Sequence, residues 1–227
     1  KKKKISLSYG VYRRYAEVYR NAKIISDSGE LGDLKQISIF FGNTYLLWNL
    51  THAVDLLIFF SNAKTAIWAN GIVEFKKGFK VQKNLIDDDP IVKSATIMFD
   101  NGIIGSITSG GGLSVKLSFS KGEIEIGADG TWLNINKNNQ NVKNPYYYDK
   151  RNIISQPSKS GMQLSIENLR DQIISKKKSL ITNSDILEGQ RILYSLVLSE
   201  INNGSRFFLK DVPDELVITG KINNKFA

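Results

Sequence analysis

Residues 91–136 read IVKSATIMFD NGIIGSITSG GGLSVKLSFS KGEIEIGADG TWLNIN, and this run points to a sheet of antiparallel strands. Ile91 to Phe99 partly alternates, and Asp100-Asn101-Gly102 follows as a hairpin turn whose central positions tolerate positive φ. Ile103 to Ser109 returns, then Ser114 to Ser120, Glu123 to Gly127 and Thr131 to Asn136 continue the meander across turns at Lys121-Gly122 and Asp129-Gly130. Glu123 and Glu125 fall on one side and Ile124 and Ile126 on the other, the pattern of a sheet with one face packed and one in water.

Upstream, Ile5 to Tyr12 reads as a strand, Arg13 to Ser28 as a helix capped by Gly29, and Leu34 to Gly42 as a second strand. Asn49 to Phe60 reads as a helix apolar nearly all round, with Asn49 or Thr51 as its cap, and Thr65 to Lys76 as a strand. Downstream, Asn136 to Ser160 is polar, rich in asparagine, carries Tyr146-Tyr147-Tyr148, and is expected as a long loop. Helices at Met162 to Lys177 and Ser184 to Asn202 and a short strand Phe207 to Leu209 close the domain, residues 1–212, ahead of a tail at 213–227. The expected class is α+β: an open, mostly antiparallel sheet with helices on one face. Gly110-Gly111-Gly112 follows a strand but opens no helix, so it is not a dinucleotide turn, and no Rossmann domain is expected in this chain.

Composition narrows the function. The chain has 227 residues, 41% hydrophobic, enough for one sizeable core. It holds no cysteine, which removes disulfides, thiolate metal sites and thiol nucleophiles and suits a reducing, cytoplasmic setting. Its single histidine, His52, removes multi-histidine metal sites, and no metal is expected. The formal charge of +9 sits in scattered lysine groups with no interleaved aromatic stripe, so nucleic acid is not the expected partner. The longest apolar run, about Leu56 to Phe60, is far short of the roughly 20 residues of a membrane span. Asp87-Asp88-Asp89 before Pro90 reads as a solvated turn rather than a metal site.

Three segments then resemble, in order and spacing, the C-terminal domain of the Gfo/Idh/MocA family of NAD(P)-dependent oxidoreductases. Tyr12-Arg13-Arg14-Tyr15, followed by Tyr19 to Ile25, is similar to the family's arginine-aromatic pair leading into a helix. Ser28-Gly29-Glu30-Leu31-Gly32-Asp33-Leu34 is similar to its helix-to-sheet junction, and Asn49 to Leu57 to its H-x-x-D helix, with His52 and Asp55 in the motif positions. Two positions depart from the pattern: Glu17 stands where a proline is frequent, and Trp48 where an Asp or Asn is frequent, four residues before the histidine. The resemblance implies a substrate-binding and oligomerisation domain of a sugar, cyclitol or nucleotide-sugar oxidoreductase. NAD or NADP would be bound mainly by a domain outside this chain, which also carries the family's lysine. It further implies homo-oligomers through the open sheet face. The alternative is a non-catalytic binding or dimerisation module built on the same fold.

Oxidising a secondary alcohol sends a hydride to the nicotinamide and a proton to a base. The resemblance assigns His52 to the proton. Asn49 and Asp55 each lie three residues from His52, so on a helix either shares its face, as a substrate contact or, for Asp55, as a partner that orients the ring or a backbone amide. Arg14 offers a planar fork to a substrate oxygen or to a structural ion pair. The Tyr146 to Tyr148 cluster packs the loop, meets a second subunit or touches substrate.

Overall fold

The computed structural model describes residues 9–42, 44–138, 148–154 and 159–219. The four leading lysines, most of the strand expected from Ile5, Tyr146, Tyr147 and the end of the tail lie outside these residues.

The chain enters through a 3₁₀ turn, Arg13–Tyr15, into helix α1, Glu17–Asp27. Val18, Tyr19 and Ala22 are the buried side of α1. Strand β1, Leu34–Phe41, then leads to helix α2, Leu50–Ser61. Leu50, Ala53, Val54, Leu56, Leu57 and Phe60 of α2 are all under 2% exposed, as the all-round apolar pattern required. Strands follow at β2, Ala66–Glu74; β3, Val81–Gln82; β4, Leu85–Ile86; β5, Ile91–Phe99; β6, Ile104–Ser109; β7, Leu113–Phe119; β8, Gly122–Gly127; β9, Trp132–Asn138; and β10, Tyr148–Ile154. Helices α3, Gly161–Ser175, and α4, Asn183–Ile201, precede β11, Phe207–Phe208, and β12, Val217–Ile218. Ser160 caps α3, and Thr182 with Asp185 forms a capping box on α4.

Nine strands form one sheet in the order β10-β9-β8-β7-β1-β6-β5-β2-β11. Every pairing in it is antiparallel except β1 with β6. The expected class stands: a mostly antiparallel sheet with helices on the face that carries Ile37, Ile39, Ile97, Ile107, Leu117 and Ile124. The opposite face carries a cross-strand row of Ile72, Ser94, Thr108, Phe40 and Ser114, in which Ile72 and Phe40 are exposed.

Four expectations need correction. Tyr9 to Tyr12 is not a strand; the chain arrives as coil and turns at Arg13. The expected loop 136–160 contains β10, which pairs with β9 from Tyr148↔Asn138 to Ile154↔Trp132. The tail is partly built in, because β12 pairs with β4 and Leu216 and Ile218 join the core. Asp87 to Asp89 is not simply a solvated turn: Asp88 is 5% exposed and accepts from the Lys76 amide at 2.8 Å, and Asp89 accepts from the Leu47 amide at 2.8 Å. These carboxylates satisfy loop amides that the neighbouring strands leave open.

The outer edge of β2 pairs with β11 only at Trp68 and Ala69, and α4 closes the rest. Ser199 Oγ accepts from the Gly71 amide at 3.3 Å, Glu200 from the Val73 amide at 2.9 Å, and Glu188 from the Ala66 amide. A helix thus supplies the acceptors that a further strand would have supplied. Gly122 marks the tightest backbone approach in the meander, where a Cβ would run into the Asn136 carbonyl and Leu31. Gly122→Ala is expected to cost about 1–3 kcal/mol in urea unfolding, while Gly111→Ala, which meets no atom, stays within about 0.5 kcal/mol of the parent. Equal midpoints for the two would show that the β8–β9 approach is looser than described.

Candidate functional site

Arg13 and Arg14 are consecutive residues of one 3₁₀ turn, and the turn sends them to different places. Arg14 goes inward and is 3% exposed. Its Nε and Nη2 donate to Asp55 at 3.0 and 2.5 Å, and its Nη1 donates to Asp185 at 3.1 Å and to the Leu180 carbonyl at 2.9 Å. The cluster ties the turn to α2 and to the N-terminus of α4. Asp185 serves twice, since it also accepts from the Thr182 amide in the capping box. Arg14 is therefore a structural ion pair, not a free fork, and Asp55 partners Arg14 rather than the His52 ring. Three residues along a helix put Asp55 near His52, but a buried guanidinium is the stronger claimant for a carboxylate 6% exposed.

Arg13 goes the other way. Its Nε and Nη2 grip Asp129 at 2.8 and 2.9 Å, and its guanidinium lies over Tyr12 at 5.3 Å and Phe41 at 5.5 Å. Asp129 is presented by a turn in which Ala128, Asp129 and Gly130 have φ of 46°, 50° and 88°. Two consecutive non-glycine residues in the left-handed region cost roughly 1–2 kcal/mol each, so the turn is held by its contacts, which include Tyr19 donating to Asp129 at 3.3 Å.

His52 stands in the first turn of α2, half-buried, with its ring edge-on to Tyr12 at 5.4 Å between centroids. Its Nδ1 is buried and has no hydrogen-bond partner among the described residues, and the same holds for Arg13 Nη1. Burial pushes the imidazole pKa down, the Arg13 charge pushes it further, and Asp129 only partly compensates, leaving it at about 4. At neutral pH the ring is uncharged, and its buried Nδ1 is unpaired among the described residues. Asn49 occupies the N-cap position of α2 without a side-chain capping bond, and Trp48 beside it is 64% exposed.

The structure thus gathers His52 with Arg13, Tyr12 and Asp129, and gathers Arg14 with Asp55 and Asp185. Arg13, Tyr12 and Asp129 were missed as site residues. The signal lay in the Tyr-Arg-Arg-Tyr motif, but nothing in it says which arginine turns inward. Among the described residues, no group of three or more His, Asp or Glu side chains is placed to hold a metal ion, and no helix is long and apolar enough to cross a membrane.

No protein-family model and no curated protein matches the chain. Solved structures do. The chain is similar to an oxidoreductase domain protein from Kribbella flavida, with 14% identity over 90% of this chain and 66% of that one and a TM-score of 0.68. It is similar to levoglucosan dehydrogenase in complex with NADH and levoglucosan, with 12% identity over 90% and 65% and a TM-score of 0.67. It is also similar to the transcriptional regulator Gal80p from Kluyveromyces lactis, with 13% identity over 90% and 60% and a TM-score of 0.63. The chain spans about two thirds of the length of these proteins. At such identities the likeness establishes the fold, and that fold is the one of the C-terminal domain of Gfo/Idh/MocA-type oxidoreductases.

Proposed function

We propose that this chain is the substrate-side domain of an NAD(P)-dependent oxidoreductase acting on a secondary alcohol of a sugar or cyclitol, with His52 at the reacting hydroxyl. The observation that carries this reading is the unpartnered, uncharged imidazole at the start of α2. A structural histidine would have both ring nitrogens satisfied or in water. A buried, unpaired nitrogen on a half-buried ring is a hydrogen-bonding capacity that the described residues leave unused. Asn49, half-buried one turn earlier, is the second substrate contact. The nicotinamide supplies the hydride chemistry when bound, NAD or NADP being held mainly by another domain, and this chain supplies alignment and the proton. Levoglucosan dehydrogenase, complexed with NADH and levoglucosan, shares the fold and supports the sugar assignment.

Pairing of two copies through the open sheet face accompanies this reading. The face offers Phe40, Ile72 and Ile104 as exposed apolar residues among serines and threonines, a mixture suited to an interface between copies. The cysteine-free composition fits a cytoplasmic setting.

The second reading is a non-catalytic module. It is favoured by Trp48, largely exposed where the family pattern has an Asp or Asn, and by the same fold in a transcriptional regulator. Two measurements separate the readings. The chain on its own is expected to show no saturable quenching of its tryptophans by NADH or NADPH, and tight binding would overturn the division of labour. The gene upstream is expected to encode a glycine-rich βαβ unit in frame, and a start codon in its place would favour the module.

A further inference from the structure

Helix α3 turns polar residues inward and apolar ones outward. Ser165 and Asn168 are its buried positions, and the Asn168 side-chain oxygen accepts from Tyr15 at 3.4 Å and from Gln172 at 2.9 Å. Met162, Ile166 and Ile173 are 46%, 61% and 65% exposed, and Leu169 between them is half-buried. Spacings of four, three and four put these residues on one stripe, about a quarter-turn around the helix from its buried side. This is the spacing with which one helix seats its side chains between those of another.

Little holds α3 from below. It meets the entering segment through a small apolar cluster of Val11, Tyr15 and Ile181, with Leu164 at its margin, apart from the main core. Its first turn lies against the entry itself, where a Cβ on Gly161 would stand 2.8 Å from the Tyr12 carbonyl oxygen and 3.3 Å from the Ala16 Cβ. A polypeptide joined ahead of this chain is therefore tethered within reach of the Met162 end of the stripe.

Two other occupants fit less well. A second copy of the chain would meet four partly covered side chains, too few for the roughly 1,200 Å² that stable interfaces between separate molecules bury. A lipid surface calls for several lysines or arginines on the polar side, and α3 carries Arg170 against Glu167 and Asp171. A domain on the same polypeptide needs less area, because the tether keeps it at high effective concentration. The solved proteins that share the fold extend well beyond it, the chain spanning 66%, 65% and 60% of them, which leaves room for such a domain.

We propose that the stripe of Met162, Ile166, Leu169 and Ile173 on α3 is the docking surface for a helix of a nucleotide-binding domain joined ahead of this chain. The proposal rests on the reading of the chain as the substrate-side half of such an enzyme. Docking there registers that domain on the turn that carries Arg13, since Tyr15 of the same turn is bonded to Asn168.

The test is amide hydrogen exchange over residues 161–175, in this chain alone and in the longer polypeptide encoded in frame with it. Exchange in α3 is expected to be slower by about tenfold or more in the longer polypeptide. Ile166→Glu combined with Ile173→Glu should return it to the rate of the chain alone. Both residues are exposed, so the same pair of changes should move the thermal midpoint of the chain alone by less than about 2 °C. Ile166→Ala with Ile173→Ala, which should lose most of the protection, carries the test if the longer glutamate variant does not fold. Equal exchange in the two polypeptides would overturn the docking surface, while NADH or NADPH binding by the longer one would leave the oxidoreductase reading standing. Protection that appears in the chain alone as its concentration rises, and vanishes in the glutamate variant, would give the stripe to a second copy and overturn the proposal. A gene with no such domain upstream removes the occupant, and the proposal falls together with that reading.

Discussion

Arg14→Met is expected to destabilise the domain by about 3–5 kcal/mol at pH 7, lowering the thermal midpoint by roughly 6–20 °C for a chain of this size. The change keeps the bulk of the side chain and removes the cation from between Asp55 and Asp185. Asp55, 6% exposed, then has no guanidinium to answer its charge. The loss should also depend on pH with a definite sign. Burial already pushes the Asp55 carboxyl up, to about 6, with Arg14 pulling the other way. A carboxyl whose folded pKa lies above its unfolded value of about 3.9 contributes stability that is fully present below the unfolded value and is lost as pH rises through the folded one. Without Arg14 the folded value climbs, so the deficit of the variant widens between pH 5 and pH 8. Adding Asp55→Asn to Arg14→Met removes the buried charge and should recover part of the loss at pH 8. Equal deficits at both pH values, or no recovery in the double variant, would place Arg14's contribution in packing alone.

The same cluster shows what a sequence can and cannot disclose. Alternation in Ser114 to Ser120 and Glu123 to Gly127 disclosed the central strands, because a period of two forces one face into the core whatever the partner strand. The apolar run of α2 disclosed its own burial. What stayed hidden depends on distant pairing. β10 carries Asp149, Lys150, Arg151 and Asn152, polar residues that suit an edge strand and read as loop, and only its register against β9 makes it a strand. β12 likewise exists because residues 217–218 meet 85–86 across more than a hundred positions of chain.

At the site the spacing of His52 and Asp55 was visible, but their partners were not. Residues three apart on a helix are neighbours, yet each is claimed by whatever packs against it. Here α4 and the entering turn bring Arg14 to Asp55 and leave His52 to Arg13. Consecutive residues on a 3₁₀ turn point roughly 120° apart, so one arginine of the pair had to face the α2–α4 interior and the other the β8–β9 turn. The motif contains no preference between them. The left-handed φ of Ala128 and Asp129 was equally hidden, since only the neighbouring Gly130 advertises such a backbone.

On the proposed reading, in which this chain is the substrate-side domain of an oxidoreductase, His52→Gln in that enzyme is expected to lower kcat for NAD(P)-dependent oxidation of its alcohol substrate by about 10²–10⁴-fold. Glutamine preserves a hydrogen-bonding side chain but cannot accept and pass on a proton in this range of pH. The pH profile makes the expectation sharper. On that reading the neutral ring takes the hydroxyl proton in the oxidative direction, so the rate falls when the ring is already protonated. Burial and the Arg13 charge hold His52 at about 4, and the acid limb of kcat/KM in the parent protein is therefore expected well below the ordinary histidine value, with activity sustained through pH 6. Carbonyl reduction needs the protonated ring, and its rate should decline as pH rises from the same point. Arg13→Gln removes the repelling charge, so it should move both limbs upward, whereas Asn49→Ala should weaken substrate binding and leave them in place. An acid limb near 6.5 that survives in His52→Gln would belong to some other group and would take the proton-handling role away from this imidazole. If kcat itself were unchanged in that variant, the ring would be a wall of the pocket and the chemistry would rest on residues outside this chain.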